Sequence, residues 1–181
     1  IHSRAKSYMD YAIWNRDGFV VIPGEVGAGK TTIIQKFLSE LDKSVVVAKI
    51  FQTQLNEVEF LQAVLTEFGI KPPSTNKVDI MNTLNAFLLH CYADSKQLVL
   101  IVDEAQNLTH SVLEEIRMLS GLETRKEKIL HVILVGQPEL KDKLESPEMA
   151  QLLQRVRLRF HLRGLLETES RDYILHRLRV A

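Results

Sequence analysis

Residues 24–31 read Gly-Glu-Val-Gly-Ala-Gly-Lys-Thr, a G-x-x-x-x-G-K-[ST] pattern suited to cradling a polyphosphate. Backbone N–H groups around Val26 to Lys30 can wrap phosphate oxygens, and a following helix N-terminus adds a field that favours anions. Lys30 would reach the outer phosphates and the Thr31 hydroxyl would ligate Mg²⁺. Gly24, Glu25, Val26, Ala28 and Thr32 complete the cradle. Gly27 and Gly29 leave room for close backbone approach and tolerate positive φ. A glycine turn with an accidental lysine would look the same in isolation. A second motif argues against that simpler explanation.

That second motif is Gln97-Leu-Val-Leu-Ile-Val-Asp103-Glu104. Five apolar residues in a row suit a strand buried on both faces, and it ends in two adjacent carboxylates. In nucleotide hydrolases of this type the first carboxylate stands near Mg²⁺. The second can polarise a water for attack on the terminal phosphate. Asp103 is therefore assigned to the metal side, and Glu104 is the candidate general base. Solvated acids at a strand end are the alternative for such a pair standing alone.

The elements around these residues are legible from their pattern. Residues 18–23 read as a buried strand before the loop, and 31–38 as a helix after it, which is the context the loop needs. Residues 44–50 are β-branched and read as a second strand. Asn56 and Glu59 form a capping-box pattern for a helix running to Phe68, where Gly69 would stop it. Residues 71–76 read as a loop, 78–92 as a longer helix and 111–119 as another. Residues 128–135 form a further buried strand, broken at Gly136-Gln137-Pro138. An amphipathic helix is expected over 4–15 and a terminal one over 167–178. Helices alternating with apolar strands predict a parallel sheet covered on both faces.

The last strand differs. Arg155, Arg157, Arg159, His161 and Arg163 alternate with Val156, Leu158, Phe160 and Leu162, which predicts a half-buried strand with one basic face. Seven arginines against three acids fall between Leu153 and Arg179. Three explanations stay open: a nucleic-acid surface, arginines that meet nucleotide phosphates across a subunit interface, or a solvated edge balanced by acids elsewhere.

Composition sets the bounds. At 181 residues and 45% hydrophobic content, the chain has enough apolar material for one ordinary domain. The formal net charge is zero and the sequence pI is about 7.2, so nothing global points to nucleic acid or an anionic membrane as main partner. Cys91 is the single cysteine, so no intrachain disulfide forms; its apolar neighbours place it in the core. The six histidines fall into no metal-ligand spacing. No apolar run approaches the ~20 residues that cross a bilayer. The chain starts at Ile1 and ends within helical periodicity at Ala181, so residues 1–181 are expected to be one nucleotide-binding core cut from a longer protein.

With both motifs, a strand ending Val135-Gly-Gln137, and Gln154-Arg155-Val-Arg-Leu-Arg-Phe160, the chain resembles the AAA+ ATPases over almost its whole length. Residues 18–32, Val102-Asp-Glu-Ala-Gln-Asn-Leu108, Glu114-Glu-Ile-Arg-Met-Leu-Ser120 and Leu134-Val-Gly-Gln-Pro-Glu-Leu140 look like the branch that holds the general secretion pathway protein A (ExeA-like) ATPases and the secretion ATPases of exosortase/PEP-CTERM loci. Pro23 stands where that branch usually has Thr, ahead of the cradle.

The resemblance implies a three-layer αβα P-loop fold with a five-stranded parallel sheet. The helical lid that usually follows it, with its Gly-x-Pro-Arg motif, is absent from these residues. ATP and Mg²⁺ are the implied cofactors. Gln137 matches the polar sensor 1 position that touches the γ-phosphate or the attacking water. Arg155 matches the arginine finger that acts on a neighbouring subunit's ATP, with Arg157 in reserve.

The function expected is an ATP-binding and ATP-hydrolysing domain of a secretion or cell-envelope export ATPase. It would act as a homo-oligomer with composite sites, with secretion or envelope-assembly proteins as partners. A cytoplasmic location follows, at the inner face of a bacterial inner membrane in a longer protein, with membrane contact only through segments outside this chain. A DNA-binding regulator of the transposition-ATPase type is the competing function, favoured by the arginine-rich end and disfavoured by the neutral charge. A switch that barely hydrolyses fits intact Lys30, Asp103 and Glu104 poorly. A small-molecule kinase fits the Asp-Glu pair poorly too.

Overall fold

The computed structural model describes residues 18–122, 128–156, 158–162 and 171. The helices expected over 4–15 and 167–178, and Arg157 and Arg163, lie outside these residues.

The elements run β1 (Phe19–Pro23), α1 (Lys30–Ser39), β2 (Val45–Ile50), α2 (Glu57–Glu67), α3 (Lys77–Ala93), β3 (Gln97–Val102), a 3₁₀ turn (Ala105–Asn107), α4 (His110–Leu119), β4 (Leu130–Gly136), α5 (Glu139–Leu144), a second 3₁₀ turn (Pro147–Met149), α6 (Ala150–Leu153) and β5 (Leu158–Arg159). All strand pairs are parallel, in the order β2-β3-β4-β1-β5. Four strands of five to seven residues carry the ladder, and β5 contributes two.

The long basic strand expected over 155–163 is therefore corrected. Arg155 lies in a turn after α6; among the described residues Leu158 and Arg159 form the ladder with β1, and the Phe160 and Leu162 N–H groups donate to the Val21 and Pro23 oxygens, so the pairing runs on to the bridge from Leu162 to Gly24. A strand at the sheet's edge has one neighbour to pair with, so period-2 patterning alone does not fix its length.

Near-continuous apolar strands make sense once both faces are covered. Along each strand, alternate residues enter two different cores. Phe19, Val21, Leu98, Leu100, Val132 and Leu134 face α2, α3 and α4, whose Phe60, Leu61, Leu84 and Ile116 are fully buried. Val20, Ile22, Val99, Ile101, Ile133 and Val135 face α1 through Ile33, Ile34 and Phe37. Each such fully buried side chain contributes roughly 1.5–3 kcal/mol relative to exposure.

The local stops follow the sequence. Asn56 accepts from the Glu59 N–H, and the Glu59 carboxylate accepts from the Asn56 N–H, which completes the capping box of α2. Gly69 ends that helix with φ of +81°. Cys91 is buried against the first core. α5 and α6 were not legible in the sequence: at six and four residues they are too short to show a helical period.

Candidate active site at the carboxyl edge of the sheet

Parallel strands put all their carboxyl ends at one edge, and the loops that leave that edge form the site. Pro23 at the end of β1 is in register with Gly136 at the end of β4, and Val102 of β3 with Leu134. The loop opens with Gly24 N–H donating to the Gly136 oxygen at 2.9 Å, and Asp103 N–H donates to the Ile50 oxygen at 2.9 Å. Residues 24–31, 103–104 and 137 thereby gather at one edge although up to 113 positions separate them.

The glycines of the loop do different jobs. Gly27 and Gly29 take φ of +77° and +83°, the left-handed region that glycine enters without steric cost. Gly24 is required for another reason: a Cβ there would fall 2.8 Å from both the Cβ and the oxygen of Leu162. That contact comes from the far end of the chain and was not visible in the motif.

Glu25, Val26 and Gly27 are exposed at the crown of the loop, while Ala28 and Lys30 are buried. The Ala28 N–H turns back to the Glu25 oxygen. Helix α1 starts from Gly29 with no side-chain cap, and the first N–H groups of a helix have no intrahelical partner. Thr31 and Thr32 sit exposed in that turn. An uncapped ten-residue helix behind a glycine loop, with open space beside Gly27, fits a phosphate group. Lys30 Nζ donates to the oxygens of Gly24 and Glu25, at 2.9 and 3.0 Å, which holds a cation against the loop.

Asp103 is buried, and its Oδ1 accepts from the Glu104 N–H at 2.9 Å. Burial pushes its carboxyl above the ordinary range. The Glu104 hydrogen bond opposes that, the Glu104 charge adds to it, and Lys30 and Lys49 pull the other way. A buried carboxylate flanked by these groups is suited to a hard cation. The residues fit Mg²⁺ in donor type, with Thr31 as the hydroxyl partner.

Glu104 adopts φ 51° and ψ 37°, left-handed backbone that is uncommon for a side-chain-bearing residue. Its Oε2 accepts from Gln106 Nε2 at 2.6 Å and Gln137 Nε2 at 3.3 Å. The Gln106 bond is the main reason its carboxyl lies below the ordinary range; burial opposes, and the Gln137 bond and the charge of Lys30 reinforce. Lys30, Glu104 and Gln137, expected separately from the sequence, thus share one electrostatic neighbourhood.

Two residues of this neighbourhood were missed. Gln106 also accepts from the Gln137 N–H at 3.0 Å through its Oε1. Lys143, on α5, donates to the Leu108 oxygen at 2.6 Å and to the Gln106 oxygen, pinning the turn after Glu104. Burial lowers its pKa. Gln106 stands two positions from Glu104, the one sequence clue; nothing in the sequence marks Lys143.

Arg155 is the exception. Its Nη1 donates to the Arg117 oxygen at 2.6 Å and to Ser120 Oγ at 3.2 Å, at the C-terminal end of α4. Arg159 pairs with Glu145 at 3.2 Å. Both of these arginines are engaged within the chain.

A parallel sheet with a phosphate-type loop after its first strand, an Asp-Glu pair at the tip of another and a polar residue at a third strand tip defines a P-loop nucleotide hydrolase. Residues 14–144 match the family described as AAA domain, and the chain belongs to that family of nucleotide-binding ATPases. Over 181 residues, 99% of its length, it is 37% identical to General secretion pathway protein A of Aeromonas hydrophila. The chain spans 33% of that relative's length.

Its fold is shared with the ORC2 protein of Aeropyrum pernix, solved as ADPNP-ADP complexes, at TM-score 0.72 and 17% identity over 97% of this chain and 50% of that one. It is shared also with CDC6P of Pyrobaculum aerophilum, at TM-score 0.75 and 15% identity over 99% and 49%. Among the described residues, no helix is long and apolar enough to cross a membrane.

Proposed function

We propose that this domain binds and hydrolyses ATP with Mg²⁺ to drive a secretion or cell-envelope export system, working as an oligomer. The observation that carries the hydrolytic part is the meeting of Gln137 and Glu104 at the sheet edge that bears Lys30. The similarity to General secretion pathway protein A supports the export part.

In this reading Lys30 exchanges its two carbonyl partners for the outer phosphates of the nucleotide. First-turn N–H groups of α1 bind phosphate oxygens. Thr31 and Asp103 would hold Mg²⁺, which would neutralise charge on the phosphates when bound. Glu104, anionic at neutral pH, accepts a hydrogen bond from the attacking water and orients it in line. Gln137 donates to the water or the γ-phosphate. Positioning and charge stabilisation are the main tools of phosphoryl transfer, and these residues supply both.

Arg155 serves as a finger in trans once a neighbouring subunit's nucleotide outcompetes the carbonyl of Arg117 for its guanidinium. Export components and a cytoplasmic setting complete the reading.

The test is ATP turnover per subunit against protein concentration, with Glu104→Gln alongside. Turnover that climbs with concentration, and a variant that binds ATP but hardly hydrolyses it, are expected. Wild-type turnover in Glu104→Gln would remove the base assignment. A rate independent of concentration would remove the composite site.

A further inference from the structure

Gln106 looks at first like a satisfied polar residue in a short turn. Its bonding argues for more. The carboxamide has one acceptor end and one donor end, and each meets a partner of fixed character. The Gln137 N–H only donates, and the Glu104 carboxylate of this reading only accepts. Rotating the amide by half a turn would set donor against donor and oxygen against carboxylate. One orientation satisfies both, at 3.0 and 2.6 Å.

The bridge is enclosed on two further sides. Behind it lies Gly136, where a Cβ would fall 2.7 Å from Gln106 Oε1 and 3.2 Å from its backbone nitrogen. Below it, Lys143 takes the Gln106 and Leu108 oxygens. Ala105 and Leu108, on either side, are fully buried. The turn therefore has little freedom, and Glu104 is kept in a left-handed backbone by contacts on the residue two places along.

We propose that Gln106 is a positioning residue for hydrolysis. It ties the Glu104 carboxylate to the tip of β4, so that Glu104 and Gln137 face the terminal phosphate as one unit. This rests on the reading of Glu104 as the group that orients water. Gln106 makes none of the loop's contacts, so it acts on the chemical step and not on nucleotide capture. Both amides meet Oε2 of Glu104, which leaves Oε1 as the oxygen this proposal assigns to water.

The experiment is steady-state ATPase kinetics and nucleotide binding on the full chain for Gln106→Ala, Gln137→Ala, the double variant, Gln106→Glu and Glu104→Gln. Melting curves confirm folding. Gln106→Glu is close to isosteric and keeps an acceptor for the Gln137 N–H, but sets a second carboxylate against that of Glu104, so it replaces the bridge with repulsion without opening a cavity. Expected is a kcat lowered about 100-fold in either Gln106 variant, the scale of a small misplacement of a reacting group, with KM and ADP affinity within about twofold of wild type. The double variant is expected to lose little beyond the worse single one, as for residues acting together.

Wild-type kcat in both Gln106 variants overturns the proposal, and so do losses that multiply in the double variant. A KM that rises with kcat unchanged also overturns it, because that would make Gln106 a nucleotide-binding residue. If Glu104→Gln is inactive while the Gln106 variants are active, only this proposal fails. If Glu104→Gln turns over normally, the reading beneath it fails as well.

Discussion

Arg155 donates through Nη1 to the main-chain oxygen of Arg117 at 2.6 Å, so the arginine matched to a trans-acting finger is, within one chain, a clamp on the end of α4. A cation at a helix C-terminus meets unsatisfied carbonyls and the negative end of the dipole. Gly121 leaves room for it, since a Cβ there would fall 3.1 Å from Nη1. Arg155→Ala is expected to lower unfolding stability by about 1–2 kcal/mol, read as a lower urea midpoint. A finger role adds a loss of turnover that appears only at concentrations where subunits assemble. An unchanged urea midpoint would show that the clamp contributes nothing.

Lys30 is held by two carbonyls that phosphate would replace. Lys30→Ala removes one charge-assisted contact worth about 1.5–3 kcal/mol, hence roughly a 10- to 100-fold loss of ATP affinity by equilibrium titration. Affinity within a factor of two of wild type would show that Lys30 does not meet the nucleotide.

Gly136 is a steric requirement of the catalytic edge. Gly136→Ala brings a methyl to 3.0 Å from Leu140 Cδ2 as well as against Gln106. Overpacking of this kind costs about 1–3 kcal/mol. Turnover is expected to fall in parallel while ATP affinity holds, because Gln106 must move and the loop need not. A fully active, fully stable variant would mean that the edge adapts more easily than its contacts suggest.

Glu114 and Arg117 give a pH-dependent term. Two carboxylate oxygens meet the Arg117 guanidinium, with Nε at 2.8 Å from each. These bonds hold Glu114 below its ordinary value of 4.5; burial opposes, and the charges of Arg117 and Arg155 assist. A carboxyl lowered in the folded state stabilises above its unfolded pKa, and that stability disappears as pH falls through the folded value. Glu114→Gln should therefore be less stable than wild type at neutral pH, by about 0.5 kcal/mol for a partly exposed pair at the surface. The urea midpoints should converge well below pH 4.5. A gap that persists in acid would point to packing and not to charge.

Most of what positions the site was legible in the chain, for a physical reason. β1, β3 and β4 are buried on both faces, so nearly every residue in them is apolar. The strand ends are then marked by the first residues that are not: the glycine loop, Asp103 and Gln137. The caps of α2 are local hydrogen bonds and are written locally. Burial also fixes Cys91 as a core residue.

What escaped the sequence depends on partners far along the chain. Gln106 and Gln137 are 31 positions apart and Lys143 lies 37 from Gln106. Gly24 is glycine because of Leu162. The alternating arginines predicted a strand that starts at Arg155, but Arg155 turns back to α4, and among the described residues the pairing with β1 runs from Leu158 to Leu162. Periodicity reports which residues are buried or exposed, and motifs report which atoms could touch a ligand. Neither reports which carbonyl a guanidinium will choose or which amide will bridge two loops. A nucleotide-cradling loop, an acidic pair and a parallel sheet are written in the chain, because these follow from local backbone geometry and burial. That Gln106 joins Glu104 to Gln137, that Lys143 pins their turn and that Arg155 is engaged on α4 emerges from packing alone, because each depends on how separate strands and helices meet.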